Sequence, residues 1–217
     1  MSDLVDRIRA HDFGDTSADG RLLAIAAVLR CAHLLEAMEA RVDEAPDDPL
    51  LGLGFRDVIE TAVNGLVCVL RPEDFGRYLV ADLAARKRIA RDIGKPDHLQ
   101  PFLDSNEPFV EGLPSQMPFG QRVDVVAADR PDLFSYAGES GMVKAMYAHL
   151  CNFAMHGGAG VLNEYLAHEG DAIRLVAEPV PVVRGPDAVT MAAGFTSKLF
   201  AILTEDGAEA AGGAEGS

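Results

Sequence analysis

Apolar residues recur along most of the chain at the three- and four-residue spacing of amphipathic helices. Prolines and glycines, which end helices, separate the segments that show this spacing. The pattern predicts five main helices, over residues 18–42, 55–70, 73–93, 141–156 and 187–203. With so little strand-like sequence, we expect an all-α fold, a bundle of about five main helices.

Residues 95–140 differ from this pattern, because they contain six of the twelve prolines of the chain. A long stretch without secondary structure is unusual in a compact domain. We therefore expect a Pro-rich excursion that packs over the bundle and contains short helices, for example around 121–129. Residues 161–168 are expected to resume a helix. Residues 172–183 have β-like composition but two prolines, which predicts an edge strand or an extended link.

The domain organisation follows from these elements. Residues 1–204 are expected to form a single helical domain that includes the excursion at 95–140. Residues 205–217 contain mainly Glu, Gly and Ala and offer little to bury, so they are expected to form a disordered acidic tail.

Composition indicates a soluble protein with an acidic surface. The chain has 217 residues, 34 of them acidic and 19 basic, and its net charge is -15. Such a charge repels phosphate backbones, so RNA is disfavoured as a partner. The basic run from Arg86 to Lys95 is interpreted as a solvated helix face or helix end.

The cysteines and the hydropathy indicate the compartment. Cys31, Cys68 and Cys151 each lie in an apolar helical segment, which is typical of buried thiols in a reducing environment. The N-terminus resembles no signal peptide, and no apolar run reaches the about 18 residues of a membrane span. We expect a cytoplasmic protein that does not enter the membrane.

The segment from Met142 to His156 contains the clearest chemical signal. At 100° per residue, His149, Asn152 and His156 fall within about 60° of one another, beside an apolar face. Two interpretations stay open, buried hydrogen-bonded histidines or a site at the edge of the bundle. A metal centre is not expected, because seven residues of helix separate the two imidazoles by roughly 10 Å. The sequence also lacks the common nucleotide and hydrolase motifs, so no cofactor is expected.

A second polar pair lies on the predicted helix 55–70. Arg56 and Glu60 are one turn apart at the edge of its apolar arc. They form either a structural ion pair or, if they face His149, Asn152 and His156 across the bundle, part of an acid–base and phosphate-holding pocket. The candidate site is therefore His156, Asn152, Arg56 and Glu60.

Two sequence segments resemble the HEPN-type helical bundles. They are RDVIETAVNGLVCVL (Arg56 to Leu70), followed by the charged helix from Arg77 to Ile93, and YAHLCNFAMHGG (Tyr147 to Gly158). In active HEPN ribonucleases, the late helix carries an Arg followed a few residues later by a His. Two protomers place both motifs in one cleft, where they cleave RNA without a metal. The resemblance implies the same bundle fold and the same dimeric arrangement.

The chain departs from that family pattern at one position. Asn152 matches the polar residue of the motif, but Cys151 stands where the Arg is expected. One hypothesis is therefore a non-catalytic or degenerate HEPN-like protein, acting as a regulatory, assembly or defence-associated component. The alternative is a divergent metal-independent endoribonuclease that uses His156 with Arg56. Because the first long helix is apolar around much of its circumference, a homodimer is expected, and a further protein partner is allowed.

Overall fold

The computed structural model describes residues 2–14, 20–92, 117–137, 140–151, 166–169, 172–175 and 183–212. These ranges contain seven α-helices, two short 3-10 segments and two strands. The helices are α1 (Ser2–Ala10), α2 (Gly20–Glu44), α3 (Leu50–Leu70), α4 (Phe75–Asp92), α5 (Phe119–Asp129), α6 (Ser140–Leu150) and α7 (Gly185–Gly212). The 3-10 segments are Pro72–Asp74 and Pro131–Ala137, and the strands are β1 (Leu166–Glu169) and β2 (Ala172–Leu175).

Helices α2, α3 and α7 form the centre of the bundle, and each packs against the other two. Their facing sides contribute most of the buried apolar side chains, as expected for amphipathic helices. The fully buried rings of Phe55 on α3 and Phe134 both lie 6.4 Å, centroid to centroid, from the ring of Phe195 on α7. The all-α class predicted from the apolar spacing is confirmed.

The remaining helices cover this centre. Helix α1 packs on α2, where Arg9 binds Glu36 through two hydrogen bonds of 3.0 and 2.5 Å in solvent. Helices α5 and α6 pack on α3. Arg71, after the last residue of α3, holds Asp129 at the end of α5 with bonds of 2.5 and 2.7 Å. Three helices from different parts of the sequence, α3, α5 and α6, are thereby brought together.

The start of α3 differs from the prediction. The helix begins at Leu50, directly after Pro49, whereas the glycines of this segment favour a linker up to residue 54. The prediction was wrong because Gly54 does not end the helix but allows α3 to pack closely on α2. A Cβ on Gly54 would lie 2.9 Å from the Cγ of Met38 on α2, so the absence of a side chain lets the two helices approach.

The part of the chain between α6 and α7 requires one correction. The helix predicted at 161–168 is wrong at its end, because residues 166–169 form β1, which pairs antiparallel with β2. Strand pairing depends on the neighbouring strand as well as on local propensity, and β2 supplies that neighbour. The edge strand predicted within 172–183 is observed at 172–175. Residues 161–165 and most of the Pro-rich excursion lie outside the described residues, while α5 matches the short helix predicted around 121–129.

The last helix is longer than predicted. It runs to Gly212 rather than ending at residue 203, so the segment assigned to the disordered tail is helical as far as that residue. Ala and Glu, which dominate this segment, have high helix propensity and extend a helix already anchored in the bundle. Residues 213–217 lie outside the described residues.

Candidate functional site

Arg56 and Glu60 form the predicted ion pair on α3. The Arg56 Nη2 lies 2.6 Å from the Glu60 Oε2, and the two side chains are only 17% and 26% exposed. The i, i+4 spacing places both on one side of the helix, which faces α5 and α6. A second carboxylate, Asp57, lies 3.6 Å from Arg56, but it binds Arg30 more closely, at 2.8 Å.

Helix α6 reaches this pair through Tyr147. The Arg56 Nη2 donates a hydrogen bond of 2.8 Å to the Tyr147 hydroxyl, which in turn donates one of 2.9 Å to the Glu60 Oε2. The Arg56 guanidinium also lies over the Tyr147 ring, 5.1 Å from its centroid. The residue that joins α6 to α3 is therefore a tyrosine. Tyr147 is not among the site residues predicted from the sequence, although its spacing from the buried Val143 and Leu150 marks the face of α6 that packs inward.

Helix α5 contributes Arg122, which is likewise not among the site residues predicted from the sequence. Its side chain is buried, with an exposed fraction of 4% for the residue. It donates a hydrogen bond to the amide oxygen of Asn64 on α3 and lies 3.4 Å from the Glu60 Oε1. The Phe119 ring at the start of α5 stacks on Tyr147 at 3.6 Å and lies 5.4 Å from the Arg122 guanidinium.

The surroundings shift the pKa of two members of this network, which we call the Glu60 cluster (Arg56, Glu60, Asn64, Arg122 and Tyr147). Burial raises the pKa of Tyr147, and the hydrogen bond to Glu60 raises it further, so the phenol stays neutral. Burial acts to lower the pKa of Arg56. The nearby Cys151 side chain and the charge of Glu60 outweigh that effect and raise the pKa of Arg56. The cluster thus combines two guanidinium groups with one carboxylate.

The predicted polar stripe on α6 is only partly described. His149 is exposed. The α-helix ends at Leu150, and Asn152 and His156 lie outside the described residues. Their meeting with Arg56 and Glu60 in one pocket therefore stays a prediction. What the structure brings together is the predicted pair Arg56–Glu60 with α6, through Tyr147.

The chemistry open to the Glu60 cluster is limited by its own contacts. Both Glu60 oxygens face guanidinium or phenol donors, and the Arg56 Nη2 is shared between Glu60 and Tyr147. A carboxylate engaged in this way is a poor general base, and a paired guanidinium has to leave its partner before it can hold a phosphate. The described geometry is that of a structural link between α3, α5 and α6.

A groove of about 280 Å³ opens on the other side of Asn64, between α2, α3 and α4. Helix α2 lines it with three apolar residues and with Arg30, which is paired with Asp57. Thr61 and Asn64 from α3 and Tyr78 from α4 complete the lining. A larger depression of about 510 Å³ lies elsewhere, between α1 and α7. There Arg7 and His11 lie against the Phe200 ring, at 5.9 and 5.4 Å from its centroid, so these side chains already pack on one another.

Within the described ranges, no group of three or more His, Cys, Asp or Glu side chains is arranged to hold a metal ion. In the same part of the chain, no helix combines the length and the apolar character needed to cross a membrane.

No protein-family model, no curated protein and no solved structure matches this chain.

Proposed function

We propose that this chain is a non-catalytic, HEPN-like helical protein that acts in the cytoplasm as a regulatory, assembly or defence-associated component. The observation that carries the proposal is that the Arg56 guanidinium is already engaged by neighbouring side chains. Its guanidinium is bound to Glu60 at 2.6 Å and to Tyr147 at 2.8 Å, and Cys151 follows α6 where the family motif has an Arg. Lys144, the only Lys or Arg in the sequence of α6, is paired with Asp124 on α5, so the described part of α6 offers no unpaired permanent positive charge to a phosphate transition state.

The charge of the whole chain supports the same proposal. A net charge of -15 repels RNA unless a basic surface compensates it. The two guanidinium groups of the Glu60 cluster do not form such a surface, because Arg122 is buried and Arg56 nearly so. A protein partner suits this surface better than a nucleic acid does.

The partner that the described surface favours is a second copy of the chain. On α2, Leu22, Ala26, Leu29 and His33 follow one another at spacings of four and three residues and are exposed, while the opposite side of the helix is buried in the core. The first sixteen residues of α2, 20–35, contain no Asp or Glu in a chain that has 34. Two copies can therefore meet along this α2 face without bringing carboxylates together.

The catalytic alternative is tested by an RNA cleavage assay without added metal. Total RNA and a set of short single-stranded RNAs are incubated with the wild type, His156→Ala and Arg56→Lys, and a ribonuclease of known activity serves as the positive control. We expect no cleavage by the wild type, because Arg56 is engaged by Glu60 and Tyr147.

Cleavage by the wild type that both substitutions abolish, with circular dichroism showing both variants folded, would establish the divergent endoribonuclease and overturn the proposal. Cleavage that persists unchanged in His156→Ala points to a contaminating nuclease and leaves the expected result standing.

A further inference from the structure

The depression between α1 and α7 is lined by one side of each helix. On the α1 side, Leu4, Arg7 and His11 follow one another at spacings of three and four residues, which places them on one side of the helix and of its end. On the α7 side, Ser197 and Thr204 lie about two turns apart. The volume of about 510 Å³ falls within the roughly 300–1,000 Å³ of small-molecule sites.

Arg7 brings an uncompensated positive charge to this depression. Arg9, on the same helix, pairs with Glu36, whereas Arg7 forms no ion pair with the residues that the structure describes. Its guanidinium lies over the Phe200 ring, 5.9 Å from the centroid, and a contact of this kind uses none of the N–H donors. In a chain with a net charge of -15, such a guanidinium is open to an anion that comes from solution.

Two further hydrogen-bond donors line the same depression. His11 packs edge-on against the rings of Phe13 and Phe200, with centroid distances of 4.7 and 5.4 Å, and these contacts hold its imidazole in place. An imidazole keeps at least one N–H donor in either protonation state. The Ser197 side chain on α7 is exposed, and its hydroxyl forms no hydrogen bond with the described residues.

The positive charge of the lining is not cancelled from within. No Asp or Glu is among the described residues that form it, and Glu205, directly after Thr204, pairs with Arg130 at 3.5 Å. A guanidinium, an imidazole and a hydroxyl therefore approach the depression from two elements. A phosphate group matches such separate donors, because each of its three terminal oxygens accepts hydrogen bonds strongly.

We propose that this depression binds a compact phosphate monoester, with its phosphate against Arg7, His11 and Ser197. The organic part of the ligand then lies against the apolar residues of the lining, such as Leu4 and Ala201, and removes them from water. Phospholipid headgroups carry the same phosphate chemistry, and the experiment separates the two sources. The site shares no residue with the Glu60 cluster, so it stands whether or not the protein cleaves RNA.

The test uses phenyl phosphate as the probe, in isothermal titration calorimetry with the full chain in a phosphate-free buffer. We expect saturable binding of phenyl phosphate, weaker binding of inorganic phosphate, which lacks the organic part, and no binding of phenol, which lacks the charge. Arg7→Met removes the guanidinium from an exposed position, so the variant should fold as the wild type does. Its affinity for phenyl phosphate should fall about tenfold or more, the effect of losing a hydrogen bond between charged groups. Ser197→Ala, on the other helix, should weaken the binding as well.

Arg184→Met is the matched control, because it removes the same charge from an exposed position directly before α7, roughly 20 Å along the helix from Ser197. Phenyl phosphate should bind this variant as it binds the wild type. The proposal is overturned if phenyl phosphate shows no saturable binding, if phenol or inorganic phosphate binds equally well, or if Arg7→Met binds the probe no more weakly than Arg184→Met does.

Sedimentation with vesicles of phosphatidylcholine and phosphatidic acid distinguishes the lipid source. We expect the protein to stay in the supernatant. Binding to these vesicles that Arg7→Met abolishes, without binding of phenyl phosphate, would assign the depression to a phospholipid headgroup and overturn the proposal of a small soluble ligand.

Discussion

Glu60 is the residue at which the contacts between α3, α5 and α6 converge. Its carboxylate faces Arg56, Arg122 and Tyr147, and only 26% of its side chain is exposed. Removing the negative charge leaves two neighbouring guanidinium groups, and among the described residues the carboxylate left near them is Asp57, which binds Arg30. Such an uncompensated charge is far more harmful in a half-buried position than at the surface.

We expect Glu60→Gln to lower the free energy of unfolding by about 2–3 kcal/mol, because the amide keeps the shape of Glu60 but not its charge. Thermal unfolding followed by circular dichroism measures the change. Glu36→Gln is the matched control, since Glu36 pairs with Arg9 at the surface and its loss should hardly change the melting temperature. Equal melting temperatures for the two variants would show that the Glu60 cluster does not hold the helices together.

At the scale of single residues, the sequence predicts only the contacts that the geometry of one helix fixes. Arg56 and Glu60 are neighbours because an α-helix places residues i and i+4 together. Tyr147 is 87 residues from Glu60 and Arg122 is 62 residues from it, so their contacts depend on how α5 and α6 dock on α3. No periodicity within one segment contains that information, and Arg122 lies well within the Pro-rich region 95–140.

At the scale of the elements, the crossing of α2, α3 and α7 depends on Gly65. A Cβ at this position would lie 2.8 Å from a methyl group of Leu199 on α7 and 3.0 Å from the Cβ of Ala27 on α2. The Ala27 Cβ is attached directly to its backbone and cannot rotate away. The three helices therefore approach as closely as they do because residue 65 has no side chain.

We expect Gly65→Ala to destabilise the protein by about 1–2 kcal/mol, although Ala is the better helix former. Overpacking of a core costs about 1–3 kcal/mol, which exceeds the gain of up to about 1 kcal/mol from helix propensity. Urea unfolding at equilibrium measures the difference. The control is Gly141→Ala on α6, where no atom lies within 4 Å of the added methyl group, and this variant should be as stable as the wild type or more stable. Stabilisation by Gly65→Ala would contradict the close packing of the three helices.

The helices themselves could be predicted because their apolar spacing is long and regular. The ends of the helices, and the segment that forms a strand instead of a helix, could not be predicted, because they depend on contacts between elements. From the sequence alone, Gly54 is expected to end a helix. In the structure it lies within α3 and leaves room for the Met38 side chain of α2. Residues 166–168 have helical character, but β2 pairs with them. In both places tertiary contacts override local propensity.

At the scale of the whole molecule, the charge distribution restricts how two copies can associate. A net charge of -15 makes most orientations of two copies repulsive. The α2 face (Leu22, Ala26, Leu29 and His33) lies on a segment that contains no acidic residue, and its Leu29 is 43% exposed. A two-fold arrangement would place this face against itself and cover the exposed leucines.

We expect the wild type to be a homodimer at micromolar concentration, as measured by light scattering coupled to size exclusion. Leu29→Glu should yield monomers, because it places a carboxylate on each side of the two-fold axis without disturbing the core. Leu50→Glu is the control, since Leu50 is even more exposed, at 60%, but lies at the start of α3; it should remain dimeric. Raising the salt concentration should strengthen the wild-type dimer, because salt screens the repulsion between two acidic copies. A monomeric wild type at all salt concentrations, or equal dissociation by both substitutions, would exclude the α2 face as the interface.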